Sequence, residues 1–208
     1  MVQTQKPSVI FDFDGVIADS FEVFMESLEE ALGRSEPLNP DEIEASRSLT
    51  TMEVMRKLGV RKYQLPRLVM RGRRGVLRRM NRVKPHEGMP EIIRELATTH
   101  RLFILSTNSR AAIINFLDRN DLTKYFEFIR ADASMLNKSG ALRRLLKRDG
   151  IKDSCIYIGD ETRDIEAAKR VGVRCVAVDW GYSTRESLVS HNPDVIISKP
   201  ENLLSLHV

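Results

Sequence analysis

Residues Val9 to Ser20 read VIFDFDGVIADS, an apolar run of strand character that ends in two carboxylates, Asp12 and Asp14, two residues apart. Alternation along a strand sends both to one side, at the point where Gly15 lets the backbone turn out of the sheet. Two like charges placed that way repel. Either one is neutral, or both lie in water, or something positive sits between them. A divalent cation suits that place, provided the rest of the chain supplies its other ligand.

At 208 residues and 42% hydrophobic side chains, the chain can build one sizeable core, or a core with a small accessory domain. It contains no run of 18 apolar residues, and the opening MVQTQKPS has neither a basic n-region nor an h-region. Membrane insertion and secretion are therefore not expected, and a cytoplasmic location is. Cys155 and Cys175 both fall in apolar, strand-like runs, which favours buried reduced thiols over a disulfide or a metal site. The net charge of +4 is unevenly distributed. Residues 54–86 carry twelve Lys and Arg and no acid, which leaves the rest of the chain at −8.

From Phe21 the apolar positions Phe21, Phe24, Met25, Leu28 and Leu32 follow helical spacing, with Gly33 as the stop. Asn39 and Pro40 open a short helix through Ile43, and Thr50 or Thr51 caps another over Met52 to Leu58. Pro66 starts a long basic helix whose inward face is Leu65, Leu68, Val69, Val76 and Met80, with Gly72 and Gly75 weakening its middle. After Pro85 and Gly88 the pattern becomes short apolar strands alternating with helices. Strands are expected at Leu102–Ser106, Phe128–Ala131, Cys155–Ile158, Cys175–Val178 and Val195–Ile197. Helices are expected near 90–97, 110–119, 139–149, 162–171 and 184–190. Continuous apolar strands at this spacing predict a parallel sheet covered on both faces, with Val9–Phe13 as its first strand. The chain thus leaves the sheet after strand one, builds a helical insert, and returns.

Ligands of an open parallel sheet bind beyond the carboxyl ends of its strands. The first strand ends in Asp12, Asp14 and Gly15. The second ends in Ser106, Thr107 and Asn108, and the Cys155 strand ends in Gly159, Asp160 and Glu161, with Asp164 one turn on. Lys138 begins the helix after the Phe128 strand. Each group has an ordinary reading: Asp-x-Asp as a solvated turn, Ser-Thr-Asn as an N-cap, and the acids after Gly159 as partners of a helix N-terminus. Lys138 is more telling, because a cation at a helix start opposes the dipole. Together they form a set suited to phosphate. An aspartate can attack phosphorus, Mg²⁺ held by carboxylates removes the repulsion between carboxylate and phosphate, and Thr107 and Lys138 can stabilise the spread charge of the transition state.

DFDGVIADS, ILSTN, Lys138 and IGDETRDIEAAKRVGV resemble the four ordered motifs of the haloacid dehalogenase-like hydrolase superfamily, and the resemblance covers essentially the whole chain. The segments VAVDWGYSTRESL and NPDVIISKPENLL resemble its phosphoglycolate phosphatase-like and beta-phosphoglucomutase-like branch. The resemblance implies a Rossmann-like three-layer α/β/α core from residues 1–20 and 84–208, and an α-helical cap from residues 21–83. It implies Asp12 as nucleophile. Asp14 would be the acid and base, its backbone carbonyl also binding Mg²⁺, while Asp160 completes the metal ligands and Asp164 supports the metal waters or Lys138. Thr107 and Lys138 would hold the phosphoryl oxygens, with Asn108 beside them. Dehalogenase relatives lack the second aspartate, so Asp14 argues for phosphoryl transfer. The usual Lys-Pro of the third motif is here Lys138-Ser139.

Arg47, Ser48, Leu49 and Thr50 lie where relatives often place a specificity loop, which makes Arg47 a candidate contact for a substrate anion. The linkers Ala18–Phe21 and Val83–Gly88 are the expected hinges. The expected enzyme is a Mg²⁺-dependent phosphatase acting on a small phosphorylated metabolite, such as phosphoglycolate, a sugar phosphate or a nucleotide, as a monomer or homodimer. Two rivals remain: a phosphomutase of the same architecture, and a catalytically idle relative that binds a polyanion through its basic cap. The basic stretch Arg67–Lys84 has three readings: a solvated face, a polyanion-docking face, or a surface steering anionic substrates. With Tyr63 the only aromatic residue near it, base stacking on single-stranded nucleic acid is disfavoured.

Overall fold

The computed structural model describes residues 6–34, 37–131, 137–148, 151 and 155–206. Its centre is β1 (Ser8–Phe11), flanked in parallel by β4 (Arg101–Leu105) and β6 (Cys155–Gly159). The sheet continues outward from β4 to β5 (Phe126–Arg130), and from β6 through β7 (Arg174–Val178) to β8 (Val195–Ile197), giving the order β5-β4-β1-β6-β7-β8. Every pairing is parallel. The chain builds one half outward from β1 and then returns to build the other. The loops after β4 and β6 therefore flank the loop after β1, at the switch point where ligands of such sheets bind.

Alternation along the strands fills both faces. Val9, Phe11, Leu102, Ile104, Ile156 and Ile158 point to one side, against α5 (Met89–Thr99) and α6 (Arg110–Arg119). Ile10, Phe103, Leu105 and Tyr157 point to the other, against α7 (Lys138–Arg148), α8 (Thr162–Val171) and α9 (Arg185–Ser190). This is the doubly covered parallel sheet that the apolar runs predict, with strand ends shifted by a residue or two. The helix end expected at 149 lies outside the described residues. Both cysteines are free, Cys175 buried in β7 and Cys155 half-buried at the start of β6.

Between residues 20 and 84 the described residues form four α-helices: α1 (Phe21–Leu32), α2 (Pro40–Arg47), α3 (Thr51–Lys57) and α4 (Leu65–Arg79). α1 ends at Gly33, whose φ of 69° is the left-handed stop that glycine favours. α2 runs four residues past the expected Ile43, because Asn39 and Glu42 close a reciprocal capping box and five of its eight residues are good solvent-facing helix formers or acids near the N-terminus. Thr50 and Glu53 cap α3 in the same way. The chain crosses between sheet and helices twice, and the crossings pair with each other: β2 (Ala18–Asp19) runs antiparallel to β3 (Lys84–Pro85).

Gly75, which by propensity weakens α4, is what lets it approach α1. A Cβ there would stand 2.9 Å from the Cβ of Ser27. The basic character of α4 is partly neutralised by the same neighbour. Arg79 pairs with Glu26 and Glu30, Arg78 with Glu30, and Arg82, just beyond the helix, with Glu26. Arg67 and Arg74 remain exposed on its outer face.

Candidate active site

Asp12 leaves the end of β1 with its backbone N–H bonded to the Ile158 carbonyl at 2.8 Å, so its side chain is placed by the sheet itself. The carboxylate is 3% exposed, accepts the Phe13 N–H at 2.7 Å and pairs with the ammonium of Lys138. Lys138 projects from the first residue of α7, where Asn137 accepts the Gly140 N–H at 2.9 Å and opens the helix without the usual proline. The same ammonium lies 2.5 Å from Asp164, which also accepts from the Tyr157 hydroxyl at 3.1 Å and the Glu161 N–H at 3.1 Å. Asp160, fully buried, accepts the Tyr182 N–H on Oδ2 at 2.7 Å, while its Oδ1 has no hydrogen-bond partner.

Asp12, Asp160 and Asp164 each place a carboxylate oxygen within 4.8 Å of the other two. The backbone is shaped to admit them. A Cβ on Gly15, where φ is +76°, would lie 2.0 Å from Asp160 Oδ2, and one on Gly181 would lie 2.3 Å from the Asp160 Cβ. Burial pushes the Asp12 carboxyl up to about 7, against the pull of Lys138 and with the push of Asp164. Burial and the neighbouring Glu161 and Asp12 hold Asp160 well above the carboxylate range. Asp164, although buried, is held below that range by Lys138 and Arg163. Burial opposes the charge on Lys138, but Asp12 and Asp164 outweigh it and keep the ammonium protonated. Two carboxyls thus lack enough positive charge, and one of them presents an unpartnered buried oxygen. A hard cation with oxygen ligands fits that deficit.

Asp14 is not part of this trio. Its Oδ1 accepts from Ser20 at 2.8 Å and from the Asn108 amide at 3.1 Å, and burial raises its carboxyl against those two bonds. Asn108 is fixed in turn, its Oδ1 accepting the Ser109 N–H at 2.7 Å and its own N–H reaching Ser106 at 3.0 Å. Thr107 stands between them and accepts Arg73 of α4 on its carbonyl at 2.6 Å. Asp14, Thr107, Asn108, Glu161, Arg163 and Tyr182 form one end of a cavity of about 340 Å³, and α1, α3 and α4 supply most of its other walls. Arg47 also lines it, at the end of α2. Its guanidinium donates to the Gly181 carbonyl at 2.9 Å and lies 5.0 Å from the centre of the Phe21 ring, so it ties the helices to the loop after β7.

Strand-end reasoning missed three participants. Arg163, in the first turn of α8, pairs with Glu161 and keeps Nε and Nη1 buried without partners. Tyr182 holds Asp160 through its backbone and Ser20 through its hydroxyl at 2.9 Å. Arg73 reaches over from α4. The question asked of the other strand ends would have found Tyr182 had it been put to β7. Nothing in the sequence singles out the two arginines.

The comparisons with known proteins agree with this arrangement. Residues 9–178 match the family model described as haloacid dehalogenase-like hydrolase. A phosphoglycolate phosphatase of Synechococcus elongatus is 33% identical over 202 residues, covering 95% of each chain. A 5'-nucleotidase of Pseudomonas aeruginosa is 24% identical, covering 90% of this chain and 89% of its own. Among solved structures, a haloacid dehalogenase-like family hydrolase from Streptococcus pneumoniae superposes with a TM-score of 0.78 at 20% identity, covering 98% of this chain and 99% of its own. With a buried aspartate at the end of the central strand, a lysine to neutralise it and two further aspartates closing the cluster, this chain belongs to the haloacid dehalogenase-like hydrolase family.

Proposed function

We propose that the protein is a Mg²⁺-dependent phosphatase that cleaves a small phosphomonoester through an aspartyl-phosphate, with helices α1–α4 (residues 21–83) as a cap over a core of residues 1–20 and 84–208. The observation that carries it is the buried Asp12 carboxylate beside Asp160, whose Oδ1 lacks any hydrogen-bond partner. Asp12, Asp160 and Asp164, with the backbone of Asp14, are the residues to hold Mg²⁺. When bound, the ion supplies the positive charge that lets a carboxylate and a phosphoryl group approach.

The side chains then divide the work. Asp12 attacks phosphorus and the bond to the leaving oxygen breaks. Asp14, whose burial favours the protonated form, gives its proton to that oxygen. A water molecule next attacks the phosphorus of the aspartyl-phosphate, Asp14 takes its proton, and phosphate leaves as Asp12 recovers its carboxylate. Lys138 and Thr107 hold the phosphoryl oxygens, and Asn108 and Ser20 orient Asp14. The phosphatase and nucleotidase relatives support the reaction class. Phosphate release from a panel of phosphorylated metabolites, with and without Mg²⁺, is the test. Metal-dependent turnover that disappears in Asp12→Asn is expected, and a folded, Mg²⁺-binding protein inert towards the whole panel overturns the reading.

A further inference from the structure

We propose that the alcohol released by this enzyme is bulky and apolar, so that its substrates are phosphomonoesters of alkyl or aryl alcohols rather than of hydroxyl-rich or carboxylate-bearing ones. The inference rests on the phosphatase reading above and adds the chemistry of the leaving group.

The direction of departure is set by Asp14. Its carboxyl lines the 340 Å³ cavity, whereas the Asp12 carboxylate lies behind it, 3% exposed. An oxygen that receives the Asp14 proton therefore carries its substituent into that cavity. The walls it meets are Phe24, Leu28, Met55, Leu68, Val69 and Val76, contributed by three helices. Three polar side chains along the same walls already donate to backbone carbonyls. Ser27 donates to the Val23 carbonyl at 2.7 Å, Ser46 to the Ile43 carbonyl at 2.6 Å, and Arg47 to Gly181. Asn108 is engaged at both ends of its amide. Arg163 lines the cavity beside Glu161, at the end where its charge is felt by Asp12 and Asp164, and its unpartnered Nε and Nη1 suit phosphoryl oxygens there. A sugar placed here would lose its water and find few partners, and a glycolate would leave the apolar walls uncovered.

Gly72 marks where the cavity can be changed. It lines the space from α4, and a Cβ built on it meets nothing within 4 Å. A large side chain there grows into the volume the leaving group is to occupy.

The test compares hexyl phosphate with glucose 6-phosphate and phosphoglycolate, all esters of primary alcohols, in the Mg²⁺-supplemented protein. The expected kcat/KM for hexyl phosphate is at least tenfold above either of the others, and Gly72→Phe lowers that ratio at least tenfold. Gly72→Leu is the second variant, in case the phenylalanine prevents folding. Independently, 1-naphthol binding to the metal-free protein, read by its fluorescence, is expected and is weakened by the same substitution. Turnover that ranks glucose 6-phosphate or phosphoglycolate above hexyl phosphate overturns the proposal and leaves the phosphatase intact. No turnover of any ester, from protein that still binds 1-naphthol, overturns the phosphatase reading and this proposal with it.

Discussion

Lys138 and Asp164 meet at 2.5 Å with both side chains sealed from solvent, each projecting from the first turn of its own helix, α7 and α8. Because the same ammonium also pairs with Asp12, one buried cation serves two carboxylates. A lysine at a helix start, unfavourable by the dipole alone, is held there by charges from two other elements.

Removing that cation leaves buried carboxylates without a partner. Lys138→Met is expected to destabilise the metal-free protein by about 3–5 kcal/mol, the usual cost of breaking a buried pair from one side. Urea denaturation of the variant and its parent checks this, and a loss under 1 kcal/mol would mean that the pair contributes little.

Asp160 carries the opposite expectation. Its folded carboxyl titrates above its unfolded value, so its favourable contribution is present below about pH 4 and lost as pH rises through the raised pKa. Above that range, keeping this carboxyl buried is a burden on the metal-free protein. Asp160→Asn should raise the metal-free melting temperature at pH 7 and flatten its pH dependence, while abolishing the increase expected when Mg²⁺ is added to the parent. Calorimetry with and without Mg²⁺ distinguishes these outcomes.

His86 works in the other pH direction. Burial beside Trp180 holds its imidazole below 6.5, although Asp19 pulls upwards, and its Nε2 has no partner. A histidine kept neutral contributes stability that is present above its unfolded pKa and lost as pH falls through the folded one. The drop in melting temperature between pH 8 and pH 5.5 is expected to be smaller in His86→Leu than in the parent.

The two glycines of α4 should respond in opposite senses. Gly75→Leu drives a side chain into Ser27 and is expected to cost about 1–3 kcal/mol as α1 and α4 separate. Gly72→Ala meets nothing and gains helix propensity, worth about 1 kcal/mol. Chemical denaturation of both single variants tests the contrast, which disappears if the helices are not packed through Gly75.

The sheet was legible because each strand is a continuous apolar run, and the clustered carboxylates at its centre were legible because they follow such runs directly. What escaped depends on the angles at which helices meet. Gly75 reads as a defect until the neighbouring helix is known, and Arg73 and Arg163 are two arginines among many until a cavity forms beneath them. The length of α2 escaped for another reason. PDEIEASR has a single large apolar residue, so no periodicity marks it, and its cap carries the signal instead. Arg47, read as reaching for an anion, has its guanidinium on Gly181 and Phe21.

The ribbon formed by Ala18–Asp19 and Lys84–Pro85 puts the departure and return of the chain side by side. A chain that leaves and re-enters at one doorway can carry a guest of almost any length without stretching its host. Asp19 and Lys84 are already partners across a two-stranded ladder, so a short turn could join them in place of more than sixty residues. The central strands would keep their connections, and a different set of helices could be spliced in at the same doorway to present the same aspartates to a different alcohol.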